Sequence, residues 1–275
     1  MDFSYREALN PLRKVSLLLL QKLALIKLGG SVVTFKDRPL EANTVAIDGI
    51  SRVLAQLHVP AIIVHGGGSF GHYWSVKYDM HTKPAEYDPH GVSVVHESMI
   101  ALNHTIINSM IRAGINPYGI PPSVFTSGHK PIATKIKQIY VMARSKVTPV
   151  TFGDVVHVQG AKYSILSGDA LMTILAKALR PSKVVFATNV DGIYKDMKSK
   201  ELVPEIRAGG KNSINFSKGS VADVTGGMQR KITEAFKIAS YGMDVLMVNG
   251  LVPERITEAI ENRLQVGTVV KGSRR

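Results

Sequence analysis

The chain has 275 residues, 45% of them hydrophobic, which excludes a disordered protein and allows a large core. Cysteine is absent, which excludes disulfides and thiolate metal sites and fits a reducing compartment. Lys plus Arg number 34 against 21 acidic residues, a formal charge of +13, so the field favours anionic partners: phosphorylated metabolites, nucleotides, nucleic acid or an acidic membrane surface.

Residues 1–23 read as a cytosolic N-terminal appendage. Val15-Ser16-Leu17-Leu18-Leu19-Leu20 behind Arg13-Lys14 has the look of a signal core, but Gln21-Lys22 interrupts it and no small-residue cleavage site follows. The run is also too short to span a bilayer. Leu23 to Leu28 is a strand that runs into Gly29-Gly30-Ser31. A helix is expected over Ala42 to Leu57, with Val45, Ile47, Ile50, Val53, Leu54 and Leu57 spaced mostly for one face. Ala61 to Val64 is a buried strand that leads into His65-Gly66-Gly67-Gly68-Ser69-Phe70-Gly71-His72. Residues 73–92 read as loop-like, with Pro84, Pro89 and Gly91 breaking the stretch 79–91. A long helix fits Ser93 to Ala113 and ends at Gly114.

Farther on, 139–142 and 147–150 read as paired strands, and 153–156 as a turn leading on from them. Asp169 to Leu179 is a helix and 183–187 a strand; Met228 to Tyr241 is a helix, ended by Gly242, and 245–248 a strand. Strands alternating with helices imply an α/β fold with a mainly parallel sheet covered on both faces. No internal repeat, low-complexity tract or linker divides the chain.

Phosphate chemistry is the leading reading of the motifs. A strand ending in glycines leaves backbone N–H groups free to face one anion, and a histidine closes the 66–72 loop. A bare tight turn does not need so many glycines. Gly66-x-Gly68-x-x-Gly71 matches the dinucleotide fingerprint formally, but no following helix and acid-ended strand are evident, and no P-loop occurs. Lys27 stands inside an apolar strand just before two glycines, where it is either an edge snorkeller or a charge aimed beyond the strand's carboxyl end. Lys36, in the following loop, could reach the same anion or be a solvated surface lysine. Ser167-Gly168-Asp169 precedes a helix: Ser167 or Asp169 could simply cap it, or Asp169 could orient Lys27 or other cations between the phosphates. The turn after the strand 183–187, Thr188 to Tyr194, could hold a nucleotide. Asp223-Val224-Thr225-Gly226-Gly227-Met228 opens a helix with Lys231 one turn in, a combination suited to phosphate. The remaining histidines show no metal-ligand spacing, and His96 and His104 on the long helix pack or face solvent.

Taken in order, Lys27-Leu28-Gly29-Gly30-Ser31, His65-Gly66-Gly67-Gly68, Ser167-Gly168-Asp169, Thr188 to Tyr194 and Asp223 to Met228 with Lys231 resemble the motifs of amino acid kinases over residues 24–271. The variant Gly68-Ser69-Phe70-Gly71-His72, Leu102-Asn103 and Gly119-Ile120-Pro121-Pro122-Ser123 are similar to the isopentenyl phosphate kinase branch. The resemblance implies a three-layer αβα sandwich, with an acceptor-side lobe about 24–152 and an ATP-side lobe about 153–271. It implies transfer of the γ-phosphoryl group of ATP, with Mg²⁺, to isopentenyl phosphate, in a cytoplasmic homodimer with neither nucleic acid nor membrane as partner. Lys27, His72, Asp169 and Lys231 would be catalytic. Gly29, Gly30, Ser31, Lys36, Asn189, Asp191, Gly192, Tyr194, Thr225, Gly226 and Gly227 would line the ATP phosphates and nucleotide. Gly66, Gly67, Gly68, Ser69, Gly71, His72 and Gly168 would line the acceptor, and no protein metal ligand is implied.

Phosphoryl transfer needs in-line positioning and charge compensation, not covalent help. The acceptor phosphate is already nucleophilic, so a histidine donor is more useful at residue 72 than a carboxylate base. An isoprenoid tail needs an apolar wall, for which the helix 93–113 offers Val94, Val95, Met99, Ile100, Ile106 and Ile107 on its several faces. Rival readings are a fosfomycin-type or uridylate kinase, a non-catalytic ATP-binding module, and a nucleic-acid-binding protein.

Overall fold

A computed structural model describes residues 23–195, 200–207 and 226–273. The appendage 1–22 and the stretch Asp223-Val224-Thr225 therefore lie outside the described residues. In chain order come β1 (Ala24–Leu28), α1 (Gly30–Val33), α2 (Thr44–Ala55), β2 (Ala61–His65), α3 (Gly68–Lys77), β3 (Ala85–Glu86) and α4 (Pro89–Arg112). Then follow β4 (Pro117–Gly119), a 3₁₀ turn (Pro122–Val124), β5 (Thr126–Ser127), β6 (Lys130–Pro131), α5 (Ala133–Arg144), β7 (Thr148–Phe152), β8 (Asp154–Gln159) and β9 (Lys162–Leu166). The second half holds α6 (Gly168–Leu179), β10 (Lys183–Thr188), β11 (Glu205–Arg207), α7 (Gly226–Ser240), β12 (Val245–Asn249), α8 (Glu254–Ile260) and β13 (Thr268–Lys271).

Among the described residues eight strands form one sheet in the order β11-β13-β12-β10-β1-β2-β7-β4. Every neighbouring pair is parallel except β12 with β13. The central strands are apolar without a break because both faces are covered, as a parallel sheet requires. Alternation along β1 assigns its side chains to two cores. Leu25 joins Ile62, Val64, Val184 and Phe186 under α5, α6 and α7. Ala24, Ile26 and Leu28 join Ile63, Val185 and Ala187 under α2, α4 and α8. The result is the αβα sandwich expected from the sequence. By the same alternation Lys27 shares the Leu25 face and points at α6.

Four local readings are corrected. Residues 139–142 belong to α5, whose buried Ile136, Ile139 and Ala143 follow helical spacing; packing outweighs the strand preference of Ile-Tyr-Val. The stretch 153–156 is not a turn: β8 and β9 form an antiparallel hairpin in which Asp154 faces Leu166 and Val156 faces Ser164. The glycine loop does run into a helix, α3, whose apolar side chains lie on several sides (Phe70 and Trp74 half-buried, Tyr73 and Val76 exposed), so no single stripe announces it. Nor does α4 wait for Ser93. Asp88 caps it by accepting the His90 N–H at 3.1 Å, and Pro89 takes the first turn, where proline starts a helix and does not break one.

A third, smaller apolar cluster centres on Met80, Val95 and Val155, with Trp74, Val92 and Ile165 against it. It lies where α3, α4 and the β8–β9 hairpin meet, apart from the two main cores. Among the described residues no helix is long and apolar enough to cross a membrane.

Candidate active site

Backbones crowd together at the carboxyl ends of β1, β2 and β7. A Cβ on Gly30 would lie 2.3 Å from the Gly68 nitrogen, one on Gly66 would lie 2.7 Å from the Gly30 nitrogen, and one on Gly153 would lie 2.6 Å from the Gly168 nitrogen. Gly68 also has φ +49, and a Cβ there would lie 2.0 Å from Thr34 Oγ1, so only glycine fits both the conformation and the space. Thr34 ties the two loops by donating to Gly30 O at 2.9 Å and accepting the Ser69 N–H at 2.9 Å. These contacts bring the N-termini of α1, α3 and α6 side by side. The first N–H groups of each helix lack a preceding turn, so together they make a positive-potential cradle for an anion.

Charged side chains complete the cradle. Lys27 is buried and its Nζ lies 3.1 Å from Asp169 Oδ1, a contact that is ionic and not a well-directed hydrogen bond. Lys231 Nζ approaches Asp169 Oδ2 at 3.9 Å and donates to Gly227 O at 3.2 Å. Burial pushes the Asp169 carboxyl up, but the charges of Lys27 and Lys231 outweigh it and hold it below its ordinary value. Burial pushes Lys231 down, against the pull of Asp169 and with the push of Lys27. One ionised carboxylate thus spaces two lysines of like charge. Ser167 caps α6 by accepting the Ala170 N–H at 3.1 Å, which leaves Asp169 free for this task.

His72 sits exposed in the first half of α3, three residues past its Ser69–Thr34 tie. Lys36 is exposed in the loop after α1 and joins no ion pair with Asp169 among the described residues. The Ser69 hydroxyl is buried without a described partner, so it is covered and not presented. Gly67 and Gly71 both pack on Met99 of α4, whose sulfur would lie 3.0 and 3.1 Å from a Cβ at either. On the other side of β1, Ser31 Oγ donates to Asn189 Oδ1 at 3.1 Å, joining the β1 and β10 turns. Asp191 pairs with Arg255 and accepts from Asn249 Nδ2 at 3.0 Å; these hydrogen bonds hold its carboxyl low. The Asp191 N–H donates to Tyr194 Oη at 3.4 Å. Gly192 is pressed against Thr268, where a Cβ would lie 2.5 Å from Oγ1. Gly226 and Gly227 open α7; Thr225 lies outside the described residues.

Several contacts at the site carry no local sequence signal. His65 is fully buried, stacks on Phe152 with ring centroids 5.2 Å apart, and places Nδ1 3.1 Å from Gly66 O and Nε2 3.3 Å from Asn103 Oδ1. Burial lowers it to about 4, so it stays neutral and props the glycine loop. The buried Asp154 meets the half-exposed His96, and Arg255 supports Asp191. Only the fold reveals these partners, because each lies tens of residues from its mate.

Comparison with known proteins agrees with this geometry. The model of the amino acid kinase family matches residues 22–249. The chain is 35% identical over 253 residues to a protein from Thermoplasma acidophilum named isopentenyl phosphate kinase, covering 90% of this chain and 99% of that one. It is 29% identical to one of the same name from Methanothermobacter thermautotrophicus, covering 91% and 97%. The solved structure of the T. acidophilum isopentenyl phosphate kinase product complex superimposes with a TM-score of 0.75 at 31% identity, covering 90% of this chain and all of that chain. The glycine-lined helix ends, the lysines they flank and this agreement along the chain have one explanation: the protein belongs to the amino acid kinase family.

Proposed function

We infer that this protein is an isopentenyl phosphate kinase, transferring the ATP γ-phosphoryl group to isopentenyl phosphate to give ADP and isopentenyl diphosphate. The carrying observation is the Lys27–Asp169–Lys231 array set between glycine-lined helix ends, in a chain similar over nine-tenths of its length to proteins of that name. In this reading Lys27 and Lys231 compensate the charge that spreads over the transferring phosphoryl group, and Asp169 keeps both ammonium groups aimed. The N–H groups of Gly30 and Gly67 border the transfer path, and His72 donates to the acceptor phosphate; the Gly29 and Gly66 N–H groups are instead taken by Ala187 O at 2.8 Å and Leu28 O at 2.9 Å, so these two glycines serve by letting the backbones approach. The turn that holds Asn189, Asp191, Gly192 and Tyr194 lies on the nucleotide side, with Ser31 bridging to it. Lys36 closes over the phosphates from its loop. The seam between β1 and β10 separates an acceptor-side lobe about 24–152 from an ATP-side lobe about 153–271.

Asp169 is already held between two lysines, and among the described residues no three His, Asp or Glu side chains gather as a metal site. The donor set therefore fits an Mg²⁺ that arrives on the nucleotide's phosphates and keeps its waters, neutralising charge there. The third apolar cluster, Met80, Val95 and Val155, offers the isoprenoid tail a wall on the α3–α4 side. Of the α4 residues proposed for that wall, Met99 and Ile106 belong to the main core, Ile100 is exposed, and Val95 alone sits in the cluster. We place the enzyme in the cytoplasm as a homodimer acting on small molecules.

An ADP-release screen with isopentenyl phosphate, dimethylallyl phosphate, fosfomycin and UMP tests the assignment. Isopentenyl phosphate is expected to give the highest kcat/KM. A preference for fosfomycin or UMP would reassign the acceptor, and ADP release indifferent to all four would reject the kinase reading.

A further inference from the structure

Asp154 is buried to 1% of its side chain, and its Oδ2 accepts a hydrogen bond from His96 Nδ1 at 2.6 Å. The other oxygen accepts the Val155 N–H at 2.8 Å. A buried carboxylate with one charged partner is costly to leave unpaired, so the contact is strongly held. The hydrogen bond to Asp154 raises His96 above the ordinary imidazole value and so supports the charged pair, while burial raises the Asp154 carboxyl and works against it.

The placement of the two residues gives the pair its meaning. Asp154 opens β8 immediately after Gly153, which abuts the Gly168 nitrogen, and its strand partner is Leu166. Leu166 is followed by Ser167, Gly168 and Asp169, so the root of the hairpin is one register pair from the transfer centre. His96 stands on α4 at a spacing of three and seven residues from Met99 and Asn103, on one helix face. Met99 packs beneath Gly67 and Gly71, and Asn103 meets His65. One helix face therefore carries the glycine loop and also grips the hairpin that leads, three residues past its last strand, into Asp169.

We propose that His96 and Asp154 are a positioning pair that fixes the distance between the acceptor-phosphate loop and the Asp169 hairpin, and so sets productive binding of the phosphorylated acceptor. Neither residue touches the reacting atoms. The pair acts through α4 on one side and through Gly168 and Asp169 on the other. The inference rests on the kinase reading above.

The test is steady-state kinetics of His96→Ala, His96→Gln and Asp154→Asn in the full chain, with each substrate varied in turn. His96→Ala is expected to raise the acceptor KM by about tenfold or more, a size typical of small misplacements near a reacting centre. The ATP KM is expected to stay within about twofold, because Met99 and Asn103, on the same α4 face as His96, bear on the glycine loop of the acceptor side. His96→Gln keeps a neutral donor toward Asp154 and is expected to recover most of the loss. Should His96→Ala fail to fold, Asp154→Asn removes the charge at equal volume and is expected to raise the acceptor KM in the same way. Folded variants with an unchanged acceptor KM, or with kcat lowered and both KM values unchanged, would overturn the proposal. A wild-type enzyme that prefers fosfomycin or UMP refutes the isopentenyl phosphate assignment alone, and the pair is then tested with that acceptor. A wild type that turns over none of the panel refutes both.

Discussion

Lys27 and Gly168 are in contact so close that a Cβ on residue 168 would lie 2.7 Å from Lys27 Cε and 2.9 Å from His65 O. The lysine passes over a helix start that has no side chain to obstruct it. Gly168→Ala is expected to displace the Lys27 ammonium group and lower kcat by at least about tenfold, with a stability loss of about 1–3 kcal/mol from overpacking. Kinetics beside a thermal melt separate the two effects. Wild-type kcat in the variant would show that the lysine has room to spare.

Asp169 raises the Lys231 ammonium group against the downward push of burial and of Lys27. Asp169→Asn removes the raising influence and leaves both lowering ones, so Lys231 loses its proton at a lower pH than in the wild type. The alkaline limb of the kcat profile is expected to move to lower pH, and kcat at neutral pH to fall by about a hundredfold. An unmoved limb would detach Lys231 from this pairing.

His72 is exposed and accessible to a ligand. His72→Ala is expected to raise the acceptor KM or lower kcat/KM for it by about tenfold to a hundredfold, the range for losing one charge-assisted donor. Nucleotide affinity by calorimetry should be unaltered. Equal loss for ATP and acceptor would argue that the α3 residue acts through the fold.

His65 titrates near 4 in the folded chain against an ordinary 6.5. The unfolded chain therefore binds the extra proton first, and stability falls as pH drops from about 6.5 to about 4. The shift corresponds to about 3 kcal/mol over that window. Chemical denaturation at a series of pH values should show this slope in the wild type and a shallower one in His65→Gln. The same slope in both would assign the acid lability to other groups.

Arg255 and Asn249 fasten Asp191 from α8 and from the end of β12. Arg255→Ala leaves the turn held by Asn249 alone. The expected result is a several-fold higher KM for ATP with the acceptor KM unchanged, since the proposed function assigns this turn to the nucleotide. Measuring the two constants separately checks the division into lobes.

Much of the architecture was readable because its signals are local. The unbroken apolar strands, the glycines at their ends and Lys27 at the same parity as Leu25 all follow from short-range rules. What escaped depends on partners distant in the chain. Residues 139–142 look like a strand until Ile136 and Ile139 are seen packed in one core, and Asp154 reads as a turn residue until its carboxylate is seen to meet His96. Pro89 misleads because proline both breaks helices and begins them. Within the site, Lys27, Asp169 and Lys231 were nameable from motifs; His65 and Asn103 also lie in motifs, but their contact with each other was not legible, and Thr34 has no motif and gains its role from the close approach of two loops.

The contact between Gly30 and Gly68 limits how this enzyme's substrate range could be altered. In the proposed function one loop serves the nucleotide and the other the acceptor, and their main chains touch with no side chain between them. Any bulk added to either loop displaces both. Mutagenesis aimed at new acceptors is therefore better spent on Val95 and Val155, whose side chains lie in a separate cluster, than on the loops that the two substrates share.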